Sequence, residues 1–265
     1  MEYSDLIAGL RRFGSTERDI CLHGLGVTAE QVKENVIIAP WWEPSTLPRL
    51  GKAKLLSISA AQKVWNIKRK GAEMTFIKTG IGAPQFMDAL LALGVTNCKK
   101  IIFIGSVGSL DENIGIGDIV VPEYSVCGDG ASRYLSPDLA DVFGEKTYPD
   151  PGLFKKAKAE TARLCEKHNV RWHVGRTFSI DTIFAQFAHI DTIVGMGCNV
   201  IEMETAAAFR AAKLMGIPLA ALFSVSDNTV TNKSLVSGRT AEEMGYRKRV
   251  RGELFPEIIL SLFKD

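Results

Sequence analysis

The chain has 265 residues, of which 46% are hydrophobic and 23% are charged, a composition that excludes disordered, collagen-like and fibrous proteins. Thirty-two Lys and Arg residues against thirty Asp and Glu residues leave a formal charge of +2. This near-balanced charge does not indicate a protein that binds nucleic acid or an anionic membrane. Five widely separated cysteines without a Cys-x-x-Cys pair, and no run of about eighteen apolar residues, predict a soluble protein of a reducing compartment, the cytoplasm.

Short β-branched segments alternate with longer segments of helical periodicity. The predicted strands are Val36–Ala39, Lys54–Ser57, Met74–Thr79, Lys100–Ile104, Asp118–Pro122, Trp172–Phe178 and Pro218–Ser226. The predicted helices are Pro84–Leu93, Gly152–His168, Met203–Met215 and Ala241–Phe263. Strands separated by helices indicate an α/β fold around a largely parallel sheet. Because no linker or internal repeat divides the chain, we predict one domain over residues 1–265, with residues 1–19 as a helical extension.

A glycine turn, Gly80-Ile81-Gly82, connects the strand Met74–Thr79 to the helix that begins at Pro84. Such a turn lets the unpaired N–H groups of a helix start approach an anion, although it is equally common as a plain packing solution. A dinucleotide site is excluded because the third glycine is missing. Lys99 and Lys100 also lie where that motif needs an acidic residue.

Three further segments place polar side chains at the ends of predicted elements. Ser106 follows an apolar strand within Gly105-Ser106-Val107-Gly108, Glu202 and Glu204 open an alanine-rich helix, and Asp227 ends the strand Pro218–Ser226. Side chains at the carboxyl ends of parallel strands face the ligand crevice of open α/β sheets. A turn-rich connection, the preference of acids for a helix start and a turn-forming Asp are the alternatives, and the pattern alone does not decide.

Taken together and in this order, the segments resemble the purine nucleoside phosphorylase and uridine phosphorylase family. The resemblance extends from about Ile20 to the C-terminus, and its motifs are Gly80-Ile81-Gly82, Ile104–Ser109, Gly117–Val121, Asp129–Ser132, Ile201–Ala207 and Val225–Asp227. It implies a single α/β domain with a mixed, partly barrel-like twisted sheet flanked by helices. It also implies homodimers or trimers of dimers that cleave the N-glycosidic bond of a nucleoside without cofactor or metal, with phosphate as co-substrate if the reaction is phosphorolytic.

The resemblance assigns roles to residues at both ends of the glycosidic bond. Glu204 is expected to bind the ribose hydroxyls and stabilise the positive charge on the sugar, with Met203 packing against it. Asp227 is expected to protonate a purine at N7, and Ser226 to place it. The uridine-specific branch lacks this Ser-Asp pair, so a purine-type base is favoured. Arg239 is a candidate for assisting Asp227.

Other expected substrate contacts surround these residues. They are Gly82, Ser106, Val200 and Glu202, with Phe184 or Phe178 stacking on the base unless both belong to the core. His23 resembles a histidine that reaches into the neighbouring subunit to bind the ribose 5′-hydroxyl. If His23 acts in this way, a complete site requires two chains.

The phosphate-binding arginines of the family are missing from their expected positions. Phe103 replaces one, and the segment Ala39–Thr46 replaces the loop that carries another; Lys63, Lys68 or Arg69 could substitute for a third. Hydrolytic relatives also lack these arginines and use a glutamate to activate water. Glu43 lies near that position, and beside Trp41 and Trp42 its pKa is expected to be raised. Phosphorolysis, hydrolysis and non-catalytic nucleoside binding therefore remain as three hypotheses.

Overall fold

A mixed sheet organises the chain, whose computed structural model describes residues 1–59, 62–69 and 71–264. Its strands are β1 Asn35–Ala39, β2 Lys52–Ile58, β3 Lys63–Arg69, β4 Ala72–Lys78, β5 Lys100–Ser109, β6 Ile119–Gly128, β7 Lys146–Thr147, β8 Trp172–Ile180, β9 Val200–Glu202 and β10 Leu219–Asn228. The helices are α1 Tyr3–Arg12, α2 Glu17–Leu25, α3 Ala83–Ala92, α4 Pro151–His168, α5 Ile183–Gln186, α6 Ile190–Gly195, α7 Thr205–Met215 and α8 Ala241–Leu262.

Five of the strands close into a barrel. The strands β5, β9, β8, β6 and β10 pair in turn, and β10 returns to pair with β5. From β5 the sheet extends outward through β1 and β4 to the antiparallel pair of β3 and β2. The pairs β10–β6 and β5–β9 are also antiparallel, so the sheet is mixed as the resemblance implied, and the expectation of a largely parallel sheet is wrong.

Strand β1 shows why helices cover both faces of the sheet. Successive side chains of a strand point to opposite faces. Val36 and Ile38 pack in one core cluster with α3 and α7, whereas Ile37 and Ala39 pack in a second cluster with α4 and α8. All four side chains are fully buried, which explains why the segment is a continuous apolar run.

The structure adds elements that the periodicity did not predict, namely α2, α5, α6 and the strands β3, β7 and β9. All five cysteines are buried free thiols. Within residues 1–59, 62–69 and 71–264, no helix has the length and apolarity needed to cross a membrane.

Candidate active site

A cavity of about 340 Å³ opens at the carboxyl ends of β5, β9 and β10. In an α/β sheet the ligand crevice lies at these strand ends. The segment after β1 and the helix α8 complete its wall. The charged and hydroxyl side chains that line it are Ser106, Glu202, Glu204, Ser226, Asp227, Arg239, Arg247 and Arg251.

A larger groove of about 830 Å³ lies on the surface beside β7 and the C-terminal end of α7. Its charged side chains include Glu145 and Arg210, which pair with each other at 2.9 Å. The smaller cavity holds the buried titratable groups, and it is therefore the candidate site.

Glu202 and Glu204 take different positions at the start of α7. The Glu202 carboxylate accepts hydrogen bonds from the N–H groups of Glu204 (2.6 Å) and Thr205 (2.8 Å) and from the Ser179 hydroxyl (2.5 Å), so it caps the helix. The Glu204 carboxylate accepts a hydrogen bond from the Gly82 N–H at 2.6 Å. Burial raises the pKa of both carboxyls, and the neighbouring charge of Glu202 raises the pKa of Glu204 further.

Gly82 contributes backbone rather than side chain to this contact. Its φ of +103° is a conformation that L side chains rarely adopt, and it precedes the first residue of α3. The glycine turn predicted from the sequence therefore presents an N–H group to a carboxylate of the protein itself.

Asp227 directly follows a bulge in β10. Val225 pairs with Val107 and Asp227 with Gly108, so Ser226 is the extra residue between two regular pairs. The Ser226 hydroxyl lies 2.5 Å from Asp227 Oδ1. Burial raises the pKa of Asp227, while the hydrogen bond from Ser226 and the charges of two arginines lower it.

Those two arginines, Arg239 and Arg247, line the cavity together with Arg251. Arg239 donates to two backbone carbonyls, at 3.4 Å and 2.6 Å. Arg247 is buried and donates from Nη2 to the Ser106 hydroxyl at 2.6 Å. The sequence analysis did not predict that the side chain of Arg247 or Arg251 reaches the site.

Several predicted site residues lie away from the cavity. Phe184 is 94% exposed, and Phe178 is buried in the core, so neither side chain is positioned to stack on a base in the cavity of its own chain. Val200 is fully buried within the core cluster of α3 and α7 and does not line the cavity. His23 is exposed on α2 and does not contribute to the cavity wall.

Glu43 differs from its expected electrostatics. The ammonium groups of Lys63 and Lys78 each lie 2.9 Å from Glu43 Oε1, and these hydrogen bonds lower the pKa of the carboxyl. The expectation of a raised pKa is therefore wrong, because two cations offset the apolar neighbours. Glu43 is also absent from the cavity wall, whereas Trp41 and Trp42 belong to it.

The described residues contain no cluster of three or more His, Cys, Asp or Glu side chains that could hold a metal ion. The cavity wall combines the carboxylates of Glu202, Glu204 and Asp227 with the guanidinium groups of Arg239, Arg247 and Arg251.

Comparison with known proteins identifies relatives along most of the chain. The family model of the phosphorylase superfamily matches residues 24–251. A uridine phosphorylase of Thermococcus kodakarensis is 26% identical over 213 residues, which is 72% of each chain. A guanosine phosphorylase of Halorubrum lacusprofundi is 27% identical over 180 residues, covering 67% of this chain and 70% of that protein.

Solved structures share the fold. A uridine phosphorylase of Vibrio fischeri superimposes with a TM-score of 0.70 at 22% identity, over 88% of this chain and 91% of that one. A purine nucleoside phosphorylase of Toxoplasma gondii, in complex with immucillin-H, gives a TM-score of 0.70 at 18% identity, over 89% and 92%.

Proposed function

This chain belongs to the phosphorylase superfamily, and from that premise we propose that it cleaves the N-glycosidic bond of a nucleoside with a purine-type base. The observation that carries the proposal is that Glu204 and Asp227, which come from different elements, line the same cavity. One acid can act on the sugar and the other on the leaving base. The N-glycosidic bond between sugar and base breaks through a transition state in which the sugar has oxocarbenium character.

Glu204 is assigned to the sugar. A carboxylate can accept hydrogen bonds from two vicinal hydroxyls and stabilise the positive charge that grows on the ring. Burial and the charge of Glu202 disfavour ionisation of Glu204 and raise its pKa. A cationic sugar reverses that penalty, so the interaction is stronger in the transition state than in the ground state, which is what accelerates a reaction.

Asp227 is assigned to the base. A leaving purine accumulates negative charge, which protonation at N7 neutralises. Burial raises the pKa of Asp227 and favours the protonated form that a general acid needs. The hydrogen bond between Ser226 and Oδ1 orients the carboxyl group. The relatives include both uridine and guanosine phosphorylases, and this Ser-Asp pair is the feature that supports a purine-type base here.

The nucleophile is the remaining choice. Hydrolysis is supported by the absence of arginine at Phe103 and in the segment Ala39–Thr46, but the two lysines bound to Glu43 make that residue a poor general base. Phosphorolysis needs cationic groups at the cavity, and three arginines line it. Phosphorolysis is therefore the form of the reaction that we propose.

A substrate panel tests the proposal. The protein is incubated with inosine, adenosine, uridine and methylthioadenosine, with and without phosphate, and free base and sugar 1-phosphate are measured. We expect purine release that depends on phosphate. Release without phosphate would establish hydrolysis instead, and binding without release would establish a non-catalytic nucleoside-binding protein.

A further inference from the structure

Arg247 and Arg251 lie four residues apart on α8, so they occupy neighbouring positions on one face of the helix. That face is the one buried against the sheet, because Val250 and Leu254 belong to the core cluster of α4 and α8. Arg247 is 8% exposed, and Arg251 is partly buried. Both guanidinium groups line the cavity of the candidate site.

Neither arginine of this pair forms a salt bridge within the part of the chain that the structure describes. The arginine ion pairs formed there belong to other residues, namely Arg11, Arg49, Arg163, Arg171 and Arg210. The buried Nε atoms of Arg247 and Arg251 have no hydrogen-bond acceptor among those residues. Burial and the nearby charge of Arg251 lower the pKa of Arg247 to about 10, although the charge of Asp227 acts in the opposite direction. A buried cation without a salt-bridge partner is costly, and a bound anion would reduce that cost.

Ser106 adds a directed donor. Its oxygen accepts the hydrogen bond from Arg247, which leaves its own hydrogen free to point to another acceptor. A hydroxyl and two guanidinium groups are the donors that match a tetrahedral oxyanion, because a planar guanidinium can bind two of its oxygens at once.

Trp42 positions the second arginine. The Arg251 guanidinium lies 5.3 Å from the centre of the Trp42 ring, and that ring packs edge-on against Phe255 of α8 at 5.3 Å. Trp42 belongs to the segment that replaces an arginine-bearing loop. The same segment thus holds an arginine supplied by a different element of the fold.

We propose that Arg247, Arg251 and Ser106 form an oxyanion site for inorganic phosphate, the second substrate of the proposed reaction. The site replaces the missing arginines with two from α8. Its place in the mechanism rests on the proposed function, but phosphate binding itself does not require turnover.

The step is a displacement at the anomeric carbon. A phosphate oxygen forms a bond to C1′ while the bond from C1′ to the purine nitrogen breaks, and the electron pair of that bond goes to the base. The base takes a proton from Asp227 at N7. The phosphate loses its proton on forming the ester, and a proton from solvent restores Asp227. The products are the free base and ribose 1-phosphate.

Titration calorimetry with inorganic phosphate, in the absence of nucleoside, tests the site. Arg247→Gln and Arg251→Gln are each expected to weaken phosphate binding by about 10- to 100-fold, the value of hydrogen bonds to a charged group. Arg249→Gln is the matched control, because Arg249 is exposed on the same helix and contacts Tyr246. In turnover assays the two test variants should raise KM for phosphate more than KM for the nucleoside.

Equal phosphate affinity in Arg247→Gln, Arg251→Gln and the wild type would overturn the proposal. So would a wild type that does not bind phosphate but binds a nucleoside 5′-monophosphate in an Arg247-dependent way, because the anion would then belong to the nucleoside. If Arg247→Gln does not fold, Arg251→Gln and Ser106→Ala decide between the same outcomes. Asp227→Asn should still bind phosphate through Arg247 and Arg251 while it loses cleavage, so failure of the proposed cleavage is seen separately from failure of this site.

Discussion

At the start of α7, the N–H groups of Glu204 and Thr205 donate to Glu202, so the Glu202 carboxylate is satisfied by the protein. Glu204 accepts a hydrogen bond from the Gly82 N–H and is 5% exposed, at the wall of the cavity. Residues two apart can thus have different functions when one of them caps a helix. The sequence predicted both as site residues, but it could not show which backbone groups Glu202 would reach.

The buried Glu204 predicts a pH-dependent stability. Its native pKa is raised above the ordinary value of 4.5, so its protonated form is favoured on folding. The contribution of protonated Glu204 to the free energy of unfolding is complete below pH 4.5. It is lost as the pH rises through the native pKa of Glu204. Gln is always neutral and can still accept from Gly82. Glu204→Gln should therefore exceed the wild type in free energy of unfolding by about 1.4 kcal/mol or more at pH 9, the equivalent of one pKa unit.

Urea denaturation at pH 5, 7 and 9 measures this difference, which should shrink toward pH 5. Glu242→Gln, on an exposed side chain in the first turn of α8, is the control. A gap between Glu204→Gln and the wild type that is the same at all three pH values would contradict the assignment.

Asp227→Asn tests the general acid. Asn can still accept from Ser226, so we expect a folded protein that loses about 100- to 10,000-fold in kcat/KM for inosine, the usual value of a general acid. A nucleoside of 7-methylguanine is the matched substrate, because its base is already cationic and needs no proton. Its cleavage should be largely retained. Equal losses on both substrates, or no loss on inosine, would remove Asp227 from the proton transfer.

Arg247 and Arg251 carry a sequence signal that the motif search did not use. They fall at positions 247 and 251 of a stripe that continues through Val250 and Leu254, the spacing of one buried helix face. Burying two arginines inside an apolar stripe costs free energy unless their charges are paired. Phe184 was expected to stack on the base but is exposed, because the position of an aromatic residue near a motif does not show which way its side chain points.

Among the elements, those whose pattern is local were predicted best. The strand β1 and the helices α3, α4 and α8 follow from continuous or periodic apolar residues. The strand β5 was predicted to end at Ile104, yet it continues to Ser109. Its last two residues pair with β9 and β10, which lie about a hundred residues further along the chain. Pairing over such distances leaves no mark on the local sequence.

The Glu202 cap at the start of α7 makes a contribution to the free energy of unfolding that can be tested directly. Glu202→Ala leaves the N–H groups of Glu204 and Thr205 and the Ser179 hydroxyl without their acceptor, at a cost of about 2–3 kcal/mol in free energy of unfolding. Glu202→Gln keeps an acceptor oxygen and should lose less. Chemical denaturation of both variants at pH 7 measures the difference. Variants as stable as the wild type would show that the Glu202 cap does not stabilise α7.

At the scale of the whole molecule, the rim of the cavity is apolar and exposed in a single chain. Phe184 and Val236 are 94% and 84% exposed, and their neighbours Ile183 and Leu235 line the cavity. Exposed apolar patches beside a site are typical of surfaces that another molecule covers. We propose that a second copy of the chain covers the rim, as the homo-oligomer that the sequence resemblance implies.

His23 gives the test of that assembly. It is exposed and lies off the cavity of its own chain, so the role that the resemblance implies for it is a contact with substrate in a neighbouring subunit. His23→Ala should raise KM about 10-fold for nucleosides with a 5′-hydroxyl, the value of one lost hydrogen bond, and leave 5′-deoxynucleosides unaffected. When His23→Ala and Asp227→Asn chains are co-expressed, each mixed dimer pairs the intact Asp227 of one chain with the intact His23 of the other. Activity on inosine at low concentration should then exceed the mean of the two parent proteins. A mixture no more active than that mean would show that His23 does not complete the neighbour's site.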